Sequence, residues 1–250
     1  MGKLIDRPAT APAAVPSLRE GDRLTAAEFL RRYEADADVT RAELIGGVVY
    51  VNARKSGDVS PDQDMSPISN VFHSTPQFRL TGLLAVYAVS TPGVDGGGPT
   101  TIHIGGANLP EPDAHLRLLA ECGGASDNTP DGYLAGPPEL LIEVANTSVG
   151  RDMGPKYDAY QTAEVAEYLV WRTAHREVLL FAHRRGAYRP VTPVEGILHS
   201  LAFPGLWIDA AAMVAGDFPT TMATLQLGLA SPEHAAFVAK LAARAKRKRK

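Results

Sequence analysis

Cysteine is all but absent from this 250-residue chain, where Cys122 stands alone. One thiol excludes an internal disulfide and a cysteine-rich zinc site, and it suits a reducing, cytoplasmic setting. Long apolar runs are missing too: none approaches the roughly 20 residues that a membrane-spanning helix needs. The opening segment, MGKLIDRPATAPAAVPSLREGDR, lacks the apolar core of a signal peptide. It is rich in Pro and Ala, and residues 1–20 are expected to form a loose arm. Basic charge is scarce outside the C-terminus. The formal net charge is −3, from 25 Lys and Arg against 28 Asp and Glu. Seven of the basic residues lie in KLAARAKRKRK, which leaves 18 against 28 elsewhere, a formal −10. So acidic a body does not suit a general nucleic-acid binder. The tail either contacts phosphates or is the solvated end of a helix, favoured there by the helix dipole.

What is present suits one α/β domain. Hydrophobic residues make up 45% of the chain and charged ones 21%, enough apolar material for a sizeable core. In TAAEFLRRYEA, Thr25 caps a helix with Glu28 at its third position and apolar Phe29, Leu30 and Tyr33 behind it. AELIGGVVYVNA places two apolar runs around Gly46-Gly47, a two-residue hairpin signal. Residues 55–67 are polar and loop-like. SNVFHSTPQFRLTGLLAVYAVSTPG suits a buried helix that Pro76 starts or kinks. GVDGGGPT is expected to be a turn, and GGASDNTPDGYLAGPP a loop. TTIHIGG, AHLRLL, ELLIEVAN, EYLVWR and EVLLFAHR are expected strands, with YRPVTP and ILHSLAFPGLWID finishing the sheet region. RDMGPKYDAYQTAE suits a short helix. Ser231 and Pro232 open a last helix as cap and first residue. The glycine segments carry no Gly-Lys-Ser/Thr ending, so none is a phosphate loop. GGASDNTPDG also lacks calcium-loop spacing.

One stretch needs a chemical explanation. Glu143 sits inside the apolar strand LLIEVA, and a buried carboxylate is costly unless paired or bound to a metal. Asp113 opens the strand AHLRLL. If the two strands are neighbours, both carboxylates project from one sheet face or end. With the backbone carbonyl of Val144 they would form an oxygen-rich site for Mg²⁺ or Mn²⁺. Lys156, the one lysine between Cys122 and the tail, lies on the helix after the Glu143 strand. Packed back on the sheet, it could orient an attacking water or steady charge developing on a phosphate. Plainer roles exist for each. Asp113 after Pro112 can end a turn. Lys156 can be an exposed helix lysine paired with Asp152. If instead it reaches the site, its removal is expected to abolish cleavage and leave the fold intact, as for a lysine on a solvent-side helix face. His73 and Tyr160 suit packed or surface positions as well as a site.

The ordered set AELIGGVVYV, a helix with a histidine, LPEPDAHLRL, PPELLIEV, D-x-x-x-K-x-x-x-Y and EYLVW resembles the Uma-type restriction endonuclease family, part of the PD-(D/E)XK nuclease superfamily. The similarity spans roughly residues 20–210, one domain-length. It implies a restriction endonuclease-like core, a mixed β-sheet flanked by helices, over residues 21–215, with 216–250 as a helical extension ending in the basic tail. It implies Asp113 and Glu143 as metal ligands and Lys156 as a displaced form of the motif lysine. It also implies a catalytic-site role for Glu43, which can alternatively cap or pair at a strand start. The superfamily lysine two residues after the glutamate is replaced by Ala145 here, and the hairpin turns on Gly-Gly rather than Asp-Gly.

The expected activity is Mg²⁺- or Mn²⁺-dependent hydrolysis of DNA phosphodiester bonds. The rival is an inactive nuclease-fold module that binds nucleic acid or protein; a weaker third is hydrolysis of another phosphoester. The need to cut two strands, with the apolar strands EYLVW and EVLLFAHR and nearby Trp207, leads to the expectation of a symmetric homodimer.

Overall fold

Leu18 is fully buried, although it falls in the segment 1–20 expected to be a loose arm. The computed structural model describes residues 15–55 and 69–248. Most of the polar segment 55–67 therefore lies outside the described residues, as do the first fourteen. Leu18 packs with Phe29, Leu44 and Val49, and its N–H donates to Asp36 Oδ2 at 3.0 Å.

Helix α1 (Ala26–Ala35) begins where Thr25 Oγ1 accepts the Glu28 N–H. The Glu28 carboxylate turns forward to Arg31 and Arg32 rather than back to the cap. Strands β1 (Val39–Ile45) and β2 (Val48–Arg54) form the expected hairpin as a separate two-stranded sheet. Gly46 and Gly47 both take positive φ, +58° and +77°, the conformation a tight two-residue turn demands. A π-turn (Asn70–Ser74) leads into α2 (Thr75–Ser90), with Pro76 in its first turn, where a missing N–H costs nothing.

Among the described residues the central sheet has six strands, in the order β11-β10-β9-β8-β5-β3. Its members are β3 (Val94–Gly97), β5 (Ala114–Leu118), β8 (Leu140–Ala145), β9 (Glu167–Arg172), β10 (Glu177–Arg184) and β11 (Ala187–Pro190). Only the β8–β9 pair is parallel, so the sheet is mixed. Here the structure departs from expectation: VDGG, taken for part of a turn, is the edge strand β3. Four glycines and no apolar alternation hid it. The segment TTIHIGG supplies β4 (Ile102–His103), and GGASDNTPDGYLAGPP supplies β6 (Asp127–Asn128) and β7 (Leu134–Ala135). These three form their own small sheet. β12 (Ile197–His199) and β13 (Trp207–Asp209) likewise pair with each other and do not extend the main sheet.

One face of the main sheet carries Leu116, Leu140, Ile142, Val144, Leu169 and Leu180 against α2 and the C-terminal helices. Those helices are α5 (Ala210–Ala215), α6 (Phe218–Leu229) and α7 (Pro232–Lys248). Leu225 of α6 and Leu241 of α7 are fully buried in this same core, so residues 216–248 share the sheet's hydrophobic core. Ser231 Oγ caps α7 as expected, accepting from His234 N. The opposite face holds Leu141, Ala145, Tyr168 and Val170 under a broken helical segment. That segment comprises α3 (Val149–Arg151), a π-turn (Asp152–Lys156) and α4 (Tyr157–Thr162). Pro155 and the non-helical Gly154 (φ −122°, ψ −105°) interrupt it, where one short helix was expected. The apolar residues of β9 and β10 are used in these two cores.

Candidate active site

Strand parity decides the site. Ala114 pairs with Ile142, and both point into the core under α2. One step along, Asp113 comes opposite Glu143, and alternation turns both carboxylates to the other face. The expected neighbours are therefore neighbours. Asp113 is 5% exposed and Glu143 3%, at the floor of a cavity of about 140 Å³ lined also by Glu43, His73 and Lys156.

Glu143 is held from the broken helix. Asp152, Lys156 and Tyr160, spaced four apart across the break at Gly154 and Pro155, all face inward. Lys156 Nζ and Tyr160 Oη each donate to Glu143 Oε1 at 2.9 Å. Lys156 also reaches Glu43 Oε2 at 2.9 Å, and Asp152 Oδ1 lies 3.8 Å away. Lys156 is only 2% exposed, which overturns the expectation of a solvent-side lysine whose removal spares the fold. Its four-residue spacing to Asp152 and Tyr160 puts the three on one face, and that face is the inward one.

Glu43 sits on β1, and its acceptor sites are taken. Oε2 accepts from Lys156 and from the Glu111 N–H at 3.1 Å. Oε1 accepts from Asn52 Nδ2 at 3.0 Å, with Arg151 Nε at 3.6 Å. Burial pushes Glu43 up, but Lys156 and Arg151 outweigh it and hold the carboxyl below its ordinary range. Glu143 goes the other way. Burial raises it well above the usual carboxylate range; Lys156 counters, and Asp152, Asp113 and Glu43 add to the rise. Lys156, flanked by these acids, overcomes its burial and is held above the ordinary lysine value.

Asp113 is fixed by backbone and helix. Its Oδ2 accepts the Val144 N–H at 2.8 Å, and Gln77 Nε2 approaches Oδ1 at 3.4 Å. His73 bridges two of the three expected ligands: Nδ1 lies 2.9 Å from the Val144 carbonyl and Nε2 3.5 Å from Asp113 Oδ1. The Asp113 hydrogen bond raises the imidazole against its burial.

Several cavity residues were not singled out from the sequence. Glu111, inside the quoted PEPD motif, is 8% exposed and accepts from Tyr33 Oη at 3.0 Å and Thr101 Oγ1 at 3.1 Å. Arg41 faces it at 3.4 Å. Asp152, inside the D-x-x-x-K motif, accepts from Ser148 Oγ at 2.5 Å. Asn52 had no signal in the sequence.

The donor set suits a hard cation better than a soft one: carboxylates and a backbone carbonyl, with no sulfur. Among the described residues, no three His, Cys, Asp or Glu side chains group closely enough to cage an ion alone. An ion here would complete its shell with water or substrate oxygens, the usual manner of Mg²⁺. The orphaned Asp152 Oδ1 and the raised Glu143 mark a pocket short of positive charge. The residues fit such a cation.

A crystal structure from Anabaena variabilis, titled a "putative nuclease belonging to DUF820", resembles this chain with a TM-score of 0.50 and 12% identity, over 76% of this chain and 99% of that one. At that identity the likeness is one of fold. No curated protein matches the sequence. A family model described as "Uma2: Putative restriction endonuclease" matches residues 26–211, and the chain belongs to that family.

Proposed function

We propose that this protein is a divalent-metal-dependent endonuclease that hydrolyses DNA phosphodiester bonds. The observation that carries the reading is the meeting of Asp113, Glu143, Lys156 and Glu43 in one buried cavity, from four separate segments of chain. In this reading Asp113, Glu143 and the Val144 carbonyl hold Mg²⁺ or Mn²⁺. When bound, the ion supplies Lewis acidity and a more acidic water.

The remaining steps belong to the chain. Asp113, fixed through the Val144 N–H, offers its other oxygen to the cavity. Tyr160 and Lys156 share Glu143 Oε1 and so set the carboxylate's rotation. Lys156 keeps a fixed positive charge beside the place where charge builds on the phosphate, without reorganising at the moment of reaction. Glu43, saturated by donors, is a positioning residue that keeps Lys156 charged and in place. Arg41, with a side chain 36% exposed, supplies a cation at the cavity mouth for a backbone phosphate. Cutting both strands calls for a cytoplasmic homodimer, and light scattering at micromolar concentration tests the assembly.

A binding-only role draws support from one feature: the Lys156 ammonium is already engaged by two carboxylates. Calorimetric titration with Mn²⁺ bears on the nuclease reading without assaying cleavage. The wild type should bind one ion, and Asp113→Asn should abolish the signal. Equal binding by both would remove Asp113 from the proposed site.

A further inference from the structure

The outer edge of β3 has no strand beside it among the described residues. Natural edges are usually blunted by lysine, proline, bulges or a covering element. This one is nearly bare backbone: Gly96, Gly97 and Gly98 run in succession, and Gly96 is exposed. The inner side explains two of these glycines. A Cβ at Gly96 would stand 2.7 Å from the His115 carbonyl oxygen, and one at Gly97 2.8 Å from the His115 ring. At Gly98 a Cβ would meet nothing within 4 Å, so packing does not explain its lack of a side chain.

Two cavities of opposite character flank the glycine run, and all three glycines line both. One, of about 260 Å³, is polar and includes Asp95, His115, Arg117 and Asn128. The other, of about 90 Å³, is apolar and lies against Leu84, Ala85 and Ala88 of α2. In the polar cavity His115 is 7% exposed, yet its Nδ1 has no hydrogen-bond partner. Arg117 lies four residues beyond Asp113 on β5, roughly 13 Å along the strand. These cavities are therefore separate from the catalytic one.

We propose that β3 receives an extended peptide segment of a partner protein, added to its free edge as a further strand, with an aliphatic side chain in the apolar cavity and a lysine or arginine in the polar one. Side chains of an added strand alternate between faces, which matches cavities on both sides of a single strand. Charge selects the cationic residue. Arg117 is paired with Asp95 at 2.9 Å and with Asp127 at 4.0 Å, while those carboxylates are 49% and 77% exposed. Asp95 lines the cavity and Asp127 stands beside it through Arg117, so two acids face one buried guanidinium and the local charge is negative. A phosphate backbone would be repelled there, which disfavours nucleic acid. A second copy of β3 would oppose glycine to glycine and fill neither cavity.

The test uses the full chain and a synthetic peptide, acetyl-Thr-Val-Lys-Val-Thr-amide, in an amide NMR titration with fluorescence anisotropy for affinity. Saturable shifts centred on Gly96, Gly97 and Gly98 are expected. Asp127→Lys, at an exposed position, should weaken this peptide at least tenfold but leave a peptide with Ser in place of Lys unaffected. Gly98→Pro, which removes an edge N–H, should weaken both peptides. No saturation at millimolar peptide, shifts centred elsewhere, or concentration-dependent self-association through the same amides would overturn the proposal. The inference does not rest on hydrolysis, so a chain that never cuts DNA leaves it standing.

Discussion

Lys156→Met is the perturbation whose cost the structure sets most clearly. Methionine keeps much of the aliphatic stem and removes the ammonium that touches Glu43 and Glu143 at 2.9 Å. All three residues are at most 3% exposed, so water cannot replace the lost charge. Removing one partner of a buried ion pair costs about 3–5 kcal/mol, because the other charge is left uncompensated. Here Glu143 loses its cation while Glu43 keeps Arg151 at 3.6 Å, so a loss within that range is expected near neutral pH. The pH dependence follows from the sign of the shifts. Without the lysine, burial and the neighbouring acids keep the Glu143 carboxyl raised above its unfolded value of about 4.3. A raised carboxyl destabilises once the pH exceeds its unfolded value, and that penalty disappears below it. The deficit should therefore be greatest above pH 7 and narrow steadily towards pH 4.5. Urea denaturation of wild type and variant at pH 7.5 and pH 5 measures this directly. Adding Glu143→Gln to the variant should restore part of the loss. A deficit under about 1 kcal/mol at pH 7.5, or one that does not change with pH, would refute the reasoning.

Tyr160→Phe keeps the ring packed on Tyr168 and removes one donor to Glu143, so a loss of about 1.5–3 kcal/mol is expected by urea denaturation. Glu167 is buried and pushed up to about 7, with Ser200 Oγ and the Leu201 N–H as donors. Its contribution is full below its unfolded value and fades as pH rises to about 7, so Glu167→Gln should flatten the fall in melting temperature between pH 5 and 8. Gly136→Ala places a Cβ 2.2 Å from the Ala125 carbonyl oxygen at φ +88°, and a melting curve should show a shift of several degrees or no folded protein.

Legibility followed local physics. The Gly46-Gly47 hairpin, the Thr25 and Ser231 caps and the apolar strand around Glu143 each depend on neighbours in sequence, and each stands where expected. Asp113 and Glu143 could be proposed as partners because each marks its own strand, but their facing depends on a register that only pairing sets. Lys156 was legible as a charge and not as a burial, because the carboxylates that compensate it, Glu43 and Glu143, come from distant strands. Helix α6 falls within the helical extension expected over 216–250, but its bounds could not be read: FPTTMATLQLGL mixes threonine, glycine and apolar residues without a clean stripe. Glu111 needed the fold, since its donors come from α1 and from Thr101, on distant parts of the chain.

The central claim is that Asp113 and Glu143 support metal-dependent cleavage of DNA. Nicking of supercoiled plasmid by the purified full chain tests it most directly, with Mg²⁺, with Mn²⁺ and with chelator. The wild type should convert supercoiled to open-circular DNA only when a divalent cation is present. Asp113→Asn and Glu143→Gln, confirmed folded by circular dichroism, should lose that conversion. Cleavage that persists in chelator, or that both folded variants retain at wild-type rate, would contradict the account; so would a wild type that leaves the plasmid intact with every divalent cation.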